Sequence, residues 1–346
     1  MRGVFELTRR QRVVNSLLHR ESDIIPYHAG FTSQELEKLT AYTGDPDYLS
    51  GVGLHMAGID YDGRPHPIPG QPDFYEDDFG VIWNRSGADK DIGVIDHPVI
   101  EDLEDFTYTC PVFDEDRFRR EIEAVLANRE DRFTYVGLGF SVFERAWSLC
   151  GMENVLMGML AYPDELDRLL DSICEFNLNV ISVMLEYPEV DACYFGDDWG
   201  QQRGTIMGPD HWRRFIKPRL AKMYRKAKDG GKFIIQHSCG DIHELFPDLI
   251  DIGLDCYQTF QPEIYDIEAV KKEFGRHLTF FGGISTQQLL PSAPPEVVKS
   301  ETIRIMHTMG PGGGYIASPT HAVPHDVPPE NILAMLDVFT HQEQYL

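Results

Sequence analysis

Apolar residues change their spacing repeatedly along this chain, and the changes predict its elements. Val13, Val14, Leu17 and Leu18 recur at helical intervals within residues 7–19, and a short apolar run, IIPYH at residues 24–28, follows. That pattern predicts a helix and then a strand. From residue 133 onward, short apolar runs at residues 135–139, 192–196, 233–235, 254–257, 278–281 and 314–317 alternate with longer amphipathic stretches. The run at 24–28 and a weaker one at 53–56 bring the number of runs to eight. Strands alternating with helices imply βαβ units and a parallel sheet, and eight such units suggest closure into a barrel. The expected fold is therefore α/β: a single distorted (β/α)8 TIM barrel with an N-terminal excursion, one domain over residues 1–346. The excursion falls at about residues 71–105, which are rich in Asp, Gly and Pro, with FGVIWN at 79–84 as one strand.

Composition narrows the partners. Lys plus Arg number 31 against 56 Asp plus Glu, a formal charge of −25, which repels nucleic acid and anionic membrane surfaces alike. No stretch approaches 18 uncharged apolar residues, and the first residues lack an apolar core of signal-peptide length, so a cytoplasmic location is expected. In that setting the six cysteines are expected as free thiols, and a special one would be catalytic or metal-binding.

Chemistry in parallel α/β folds sits at the carboxyl ends of strands, where the loops vary freely on a fixed frame. Three predicted strands end in reactive groups: the run at 192–196 in Asp197 and Asp198, the run at 233–235 in His237 and Cys239, and the run at 314–317 in His321. His237 and Cys239 are two apart, so an extended backbone points both to one face, as a ligand pair suited to zinc. A core histidine and a packed thiol would produce the same letters. His321 is a third ligand if both strands belong to one barrel, and three protein ligands leave the open position of a catalytic site. Asp197 and Asp198 point opposite ways if the strand continues, so at most one faces the mouth, as a ligand, a base or a partner of the histidine. The other is expected to cap a helix or to be solvated. The glycines of residues 310–314 precede a strand instead of following one, and so read as a tight helix-to-strand turn, not a phosphate loop. Residues 241–246 begin like a cobalamin-binding motif, but Phe246 stands where that motif needs glycine, so no corrinoid-binding domain is expected.

HSCGD from His237, IDIGLD from Ile250, FQP from Phe260, FGGISTQ from Phe281, GGGYIASPTHAV from Gly312 and DVPPENI from Asp326 together resemble the uroporphyrinogen decarboxylase superfamily. So do GDD from Gly196, Lys217 with its following proline, and the opening segment of residues 10–26. The resemblance covers nearly the whole chain and implies a distorted (β/α)8 barrel with one of two activities. One is cofactor-free decarboxylation of uroporphyrinogen. The other is zinc-dependent methyl transfer with a separate corrinoid protein. The decarboxylases carry an arginine-rich signature for substrate carboxylates, whereas residues 27–35 here, YHAGFTSQE, contain no arginine. The methyltransferases use His-x-Cys and a later cysteine as zinc ligands. His237 and Cys239 match the first two, and Thr320 and His321 stand about where the later cysteine falls.

The resemblance thus implies a zinc-dependent enzyme moving a methyl group between a small-molecule substrate and a corrinoid protein or thiol. His237, Cys239 and His321 would hold the metal, Asp197 or Asp198 would orient or deprotonate the substrate, and cobalamin would enter only through the partner protein. The alternatives are a metal-free decarboxylase of the uroporphyrinogen type and, in another class, a non-catalytic barrel that binds a small ligand.

Overall fold

A computed structural model describes residues 6–61, 63–87 and 90–346. Its parallel-sheet strands, among the described residues, are β1 (Met56–Tyr61), β2 (Phe133–Leu138), β3 (Ala192–Gly196), β4 (Phe233–His237), β5 (Cys256–Phe260), β6 (Thr279–Ile284) and β7 (Tyr315–Pro319). Within each unit the strands neighbour one another in chain order, β2–β3–β4 in one and β5–β6–β7 in the other, with none of the reversal that marks a doubly wound sheet. The pairs β2–β3, β3–β4, β5–β6 and β6–β7 are parallel. The α/β class and the parallel succession therefore match the periodicity.

Seven strands stand where eight were expected. The run at 24–28 contributes one parallel bridge, Tyr27 to Ala317, flanked by hydrogen bonds from His28 N to Ala317 O and from Ala317 N to Pro26 O. Pro26 has no N–H to extend a ladder, which confines the pairing to that point. The weak run at 53–56 is also displaced. Gly53, at φ 73°, terminates the helix Tyr48–Val52, so β1 begins only at Met56.

The chain divides into two compact units, one of Met1–Ala57, Arg129–Thr134 and Asp255–Leu346, the other of Gly58–Asn128 and Tyr135–Leu254. In the first, helix Arg9–Leu17 opens with a capping box between Thr8 and Gln11. Gly312, Gly313 and Gly314, at φ 79°, 74° and 70°, make the turn from helix Pro295–Met309 into β7, as their place before a strand predicted.

In the second unit, the excursion folds as a four-stranded antiparallel sheet of His66–Pro67, Phe74–Glu76, Ile82–Asn84 and Val94–Ile95. It is tied to helix Phe143–Cys150 by a buried ion pair, Arg145 Nη1 to Asp77 Oδ2 at 2.7 Å. Asp77 also accepts from Phe79 N, Val81 N and Trp83 Nε1, and the guanidinium lies 4.0 Å over the Phe79 ring. A buried pair survives only when its remaining hydrogen-bonding capacity is met, and the carboxylate here meets that condition. All six cysteines are unpaired thiols. No described helix is long and apolar enough to cross a membrane.

Candidate metal and acid–base site

The β3–β4 register sets His237 opposite Gly196, and Asp197 N donates to His237 O at 3.1 Å. The loops leaving the two strands therefore start side by side. The His237 ring is held at both nitrogens. Nδ1 lies 3.2 Å from Tyr194 Oη, while Nε2 lies 3.3 Å from Asp198 Oδ1 and 3.6 Å from Cys239 Sγ. Tyr194 in turn packs against Tyr135, ring centroids 5.3 Å apart. Gly58 gives Tyr135 its place, since a Cβ there would fall 2.4 Å from the ring.

Asp198 Oδ1 also accepts from Cys239 N at 2.7 Å. Burial alone would raise the pKa of Asp198, but the His237 hydrogen bond and charge and the Cys239 N–H outweigh it and bring the group down to about 2. For His237, burial opposes the charged form, yet Tyr194, Cys239 and Asp198 around the ring hold its pKa well above the ordinary value. Burial pushes the Cys239 thiol up against the opposing pull of His237.

The two aspartates take different places, as alternation along an extended strand requires. Asp197 is fully buried and accepts three hydrogen bonds: Phe143 N at 2.9 Å, Glu144 N at 2.7 Å and Trp199 Nε1 at 2.8 Å. It serves the otherwise unpaired N–H groups of the first turn of helix Phe143–Cys150, so it is the member of the pair that caps a helix. Burial raises its pKa to about 6 in spite of those donors. Asp198 is the member beside His237 and Cys239.

The backbone around Cys239 is fixed tightly. Buried Ser238 accepts from Trp199 N at 3.0 Å and donates to Cys239 O at 3.1 Å. Gly240, at φ 78°, passes directly against Gly200: a Cβ on Gly240 would lie 2.2 Å from Gly200 C, and one on Gly200 would lie 2.5 Å from Gly240 C. Only glycine at both positions lets the two segments approach, and Asp241 N to Gln201 O at 2.8 Å seals the contact.

His321 is exposed, two residues beyond β7. The residue before it is anchored: Thr320 N donates to Ile284 O at 2.9 Å, its hydroxyl meets Thr286 Oγ1 at 2.9 Å, and its carbonyl accepts from Gln258 Nε2 at 3.1 Å. His237 and Cys239 form a candidate ligand pair within the second unit, whereas His321 belongs to the first.

Two residues of this neighbourhood were not singled out in the sequence. Glu144, half-buried in the first turn of helix Phe143–Cys150, takes a hydrogen bond from the Asp198 backbone and has its pKa raised well above the usual range, by burial first and then by the charges of Asp198 and Asp197. Its signal was its position a few residues past the end of β2, the same rule that found Asp198. Tyr194 lies inside β3 and offers no comparable signal, because tyrosine within a strand is ordinary packing.

The family model for uroporphyrinogen decarboxylase (URO-D) matches residues 86–341. A solved structure, a methyltransferase from Methanosarcina mazei, superposes with a TM-score of 0.74 at 19% identity, covering 99% of this chain and 100% of that one. A methylated-thiol–coenzyme M methyltransferase of Methanosarcina mazei is 22% identical over 165 residues, 46% of this chain. The chain spans 41% of that relative's length. With the family model matching well over half of its residues, this chain belongs to the uroporphyrinogen decarboxylase (URO-D) family.

Proposed function

We propose that the chain is a zinc-dependent methyltransferase of this family, moving a methyl group between a small-molecule substrate and a separate corrinoid protein or thiol. The observation that carries the reading is the 3.6 Å separation of His237 Nε2 and Cys239 Sγ. Zinc bonds nitrogen at about 2.0–2.1 Å and sulfur at about 2.3 Å, so an N–S edge of a zinc tetrahedron is about 3.6 Å. His237 Nε2, Cys239 Sγ and an imidazole nitrogen of His321 are the ligands assigned, which leaves one position for substrate. Support comes also from the two Methanosarcina mazei relatives, both named as methyltransferases.

Bound zinc would supply a Lewis acid that favours the thiolate of a coordinated thiol. The remaining work falls to the chain. Tyr194 holds His237 Nδ1 and so fixes the ring that presents Nε2. Asp198 fixes the Cys239 backbone and would orient or deprotonate a bound substrate, while Asp197 caps helix Phe143–Cys150. Decarboxylation of a porphyrinogen is disfavoured because residues 27–35 offer no arginine for its carboxylates, and desolvating unpaired carboxylates is costly.

Metal analysis and activity together test the reading. Wild-type protein should take up zinc at micromolar concentration, and Cys239→Ser should weaken uptake at least about tenfold, or about 1.4 kcal/mol. Zinc-loaded enzyme should methylate cob(I)alamin and release no carbon dioxide from uroporphyrinogen. Absence of zinc uptake, equal uptake by the variant, or robust decarboxylation would overturn it.

A further inference from the structure

Helix Lys217–Asp229 concentrates positive charge in a chain of net charge −25. Around its start the cations are neutralised: Arg213 and Lys217 meet Asp248 at 2.9 and 2.8 Å, Arg214 meets Asp167 at 2.5 Å, and Arg219 meets Asp167 and Asp171, each at 2.8 Å. The second half differs. Lys222, Arg225 and Lys226 form no ion pair among the described residues, although carboxylates outnumber cations 56 to 31 in the sequence. All three line one groove of about 620 Å³. Its apolar part is Leu178 and Leu185, both half-buried, and its one carboxylate is Asp229. Leu185 lies close over Gly230, where a Cβ would meet Leu185 Cδ2 at 2.2 Å.

Three cations against one carboxylate leave the groove positive by two charges, over an apolar floor. Charges separated by more than about 10 Å are largely screened at 0.1 M salt, so the local cations, and not the distant acidic surface, set the potential for a segment lying in the groove. From this charge complementarity we propose that the groove between Leu178, Leu185 and the Lys222, Arg225 and Lys226 side chains docks an acidic, partly apolar polypeptide segment of a partner protein. Carboxylates of the segment would pair with the three cations while an apolar side chain covers the two leucines. The groove reaches Gly230, at the amino-terminal end of β4, whereas His237 and Cys239 lie at the carboxyl end of that strand. The surface therefore recruits a partner without blocking the mouth, and it holds whether or not the chain transfers methyl groups.

The test uses the full chain and a fluorescein-labelled hexapeptide of alternating glutamate and leucine, followed by fluorescence anisotropy. The acidic protein repels such a peptide elsewhere, so binding reports on the groove. Neutralising the groove with Lys222→Gln, Arg225→Gln and Lys226→Gln should weaken binding at least about tenfold, as should raising sodium chloride from about 50 to 300 mM. Asp229→Asn, which removes the opposing charge, should tighten binding about two- to threefold, a gain that misfolding cannot produce. No binding by wild type, equal binding by the triple variant, or full displacement of the peptide by millimolar inorganic phosphate would overturn the proposal. So would occlusion of the groove by self-association in sedimentation.

Discussion

His55 gives a sharp test of how burial governs this fold's response to acid. The residue is 1% exposed, and neither ring nitrogen has a hydrogen-bond partner. Its ring stands edge-on to Tyr27, centroids 4.4 Å apart. Burial, reinforced by the charges of Arg12 and Arg9, lowers its pKa from 6.5 to about 3. A base whose folded pKa is depressed binds its proton more readily in the unfolded chain, so its contribution is complete above pH 6.5 and is lost as pH falls from 6.5 toward 3. At pH 5, 1.5 pH units below the ordinary value, the penalty at about 1.36 kcal/mol per unit is about 2 kcal/mol. Phenylalanine keeps the ring and removes the titration. Urea unfolding of wild type and His55→Phe should give free energies within about 1 kcal/mol of each other at pH 7.5, because an unpartnered polar ring is exchanged for an apolar one. By pH 5 the variant should have gained about 2 kcal/mol on wild type. Taking the difference between the proteins cancels the titrating groups they share that do not interact with His55. Two curves that run parallel from pH 7.5 to 4.5 would show that His55 gains a partner or water on protonation, and the desolvation argument would fail.

Other expectations concern the site's frame. Asp197→Asn replaces an acceptor of three N–H bonds with a group that must turn its own NH₂ toward one of the donors; a loss of about 2–4 kcal/mol is expected, seen as a lower melting temperature. Arg145→Met strands the Asp77 carboxylate in the interior and should cost about 3–5 kcal/mol, with faster proteolysis within residues 66–95 as the direct readout. Gly240→Ala must leave φ 78° or bear about 1–3 kcal/mol of strain, and its Cβ would strike Gly200. Zinc uptake by that variant should be weaker than wild type in a protein whose circular dichroism is unchanged.

The sequence by itself determined the succession of strands and helices, because hydrophobic periodicity is a local property and each run of β2 to β7 carries its own. It also identified the strand ends that bear His237, Cys239, Asp197 and Asp198, and the two-residue spacing that sends His237 and Cys239 to one side, since alternation along an extended backbone is local too. Turn chemistry was equally legible: the glycines of residues 310–314, standing before a predicted strand, read as a tight turn, and Gly312, Gly313 and Gly314 adopt positive φ there.

Other features depend on residues far apart in the chain, and only the tertiary structure decided them. Which aspartate of the pair faces Cys239 follows from the first turn of helix Phe143–Cys150 arriving beside Asp197 with two N–H groups to satisfy. Glu144 and Tyr194 became part of the site only when β2, β3 and β4 lined up. Asp77 and Arg145, 68 residues apart, carry no sign of each other in the sequence, yet each is tolerable in the interior only because the other is there. The run at 24–28 had the composition of a strand, but a strand exists only where a neighbour accepts its ladder, and Pro26 limited that ladder to one bridge. Periodicity and backbone preference belong to a few consecutive residues, whereas desolvation, charge pairing and hydrogen-bond satisfaction are settled by whatever the fold brings alongside.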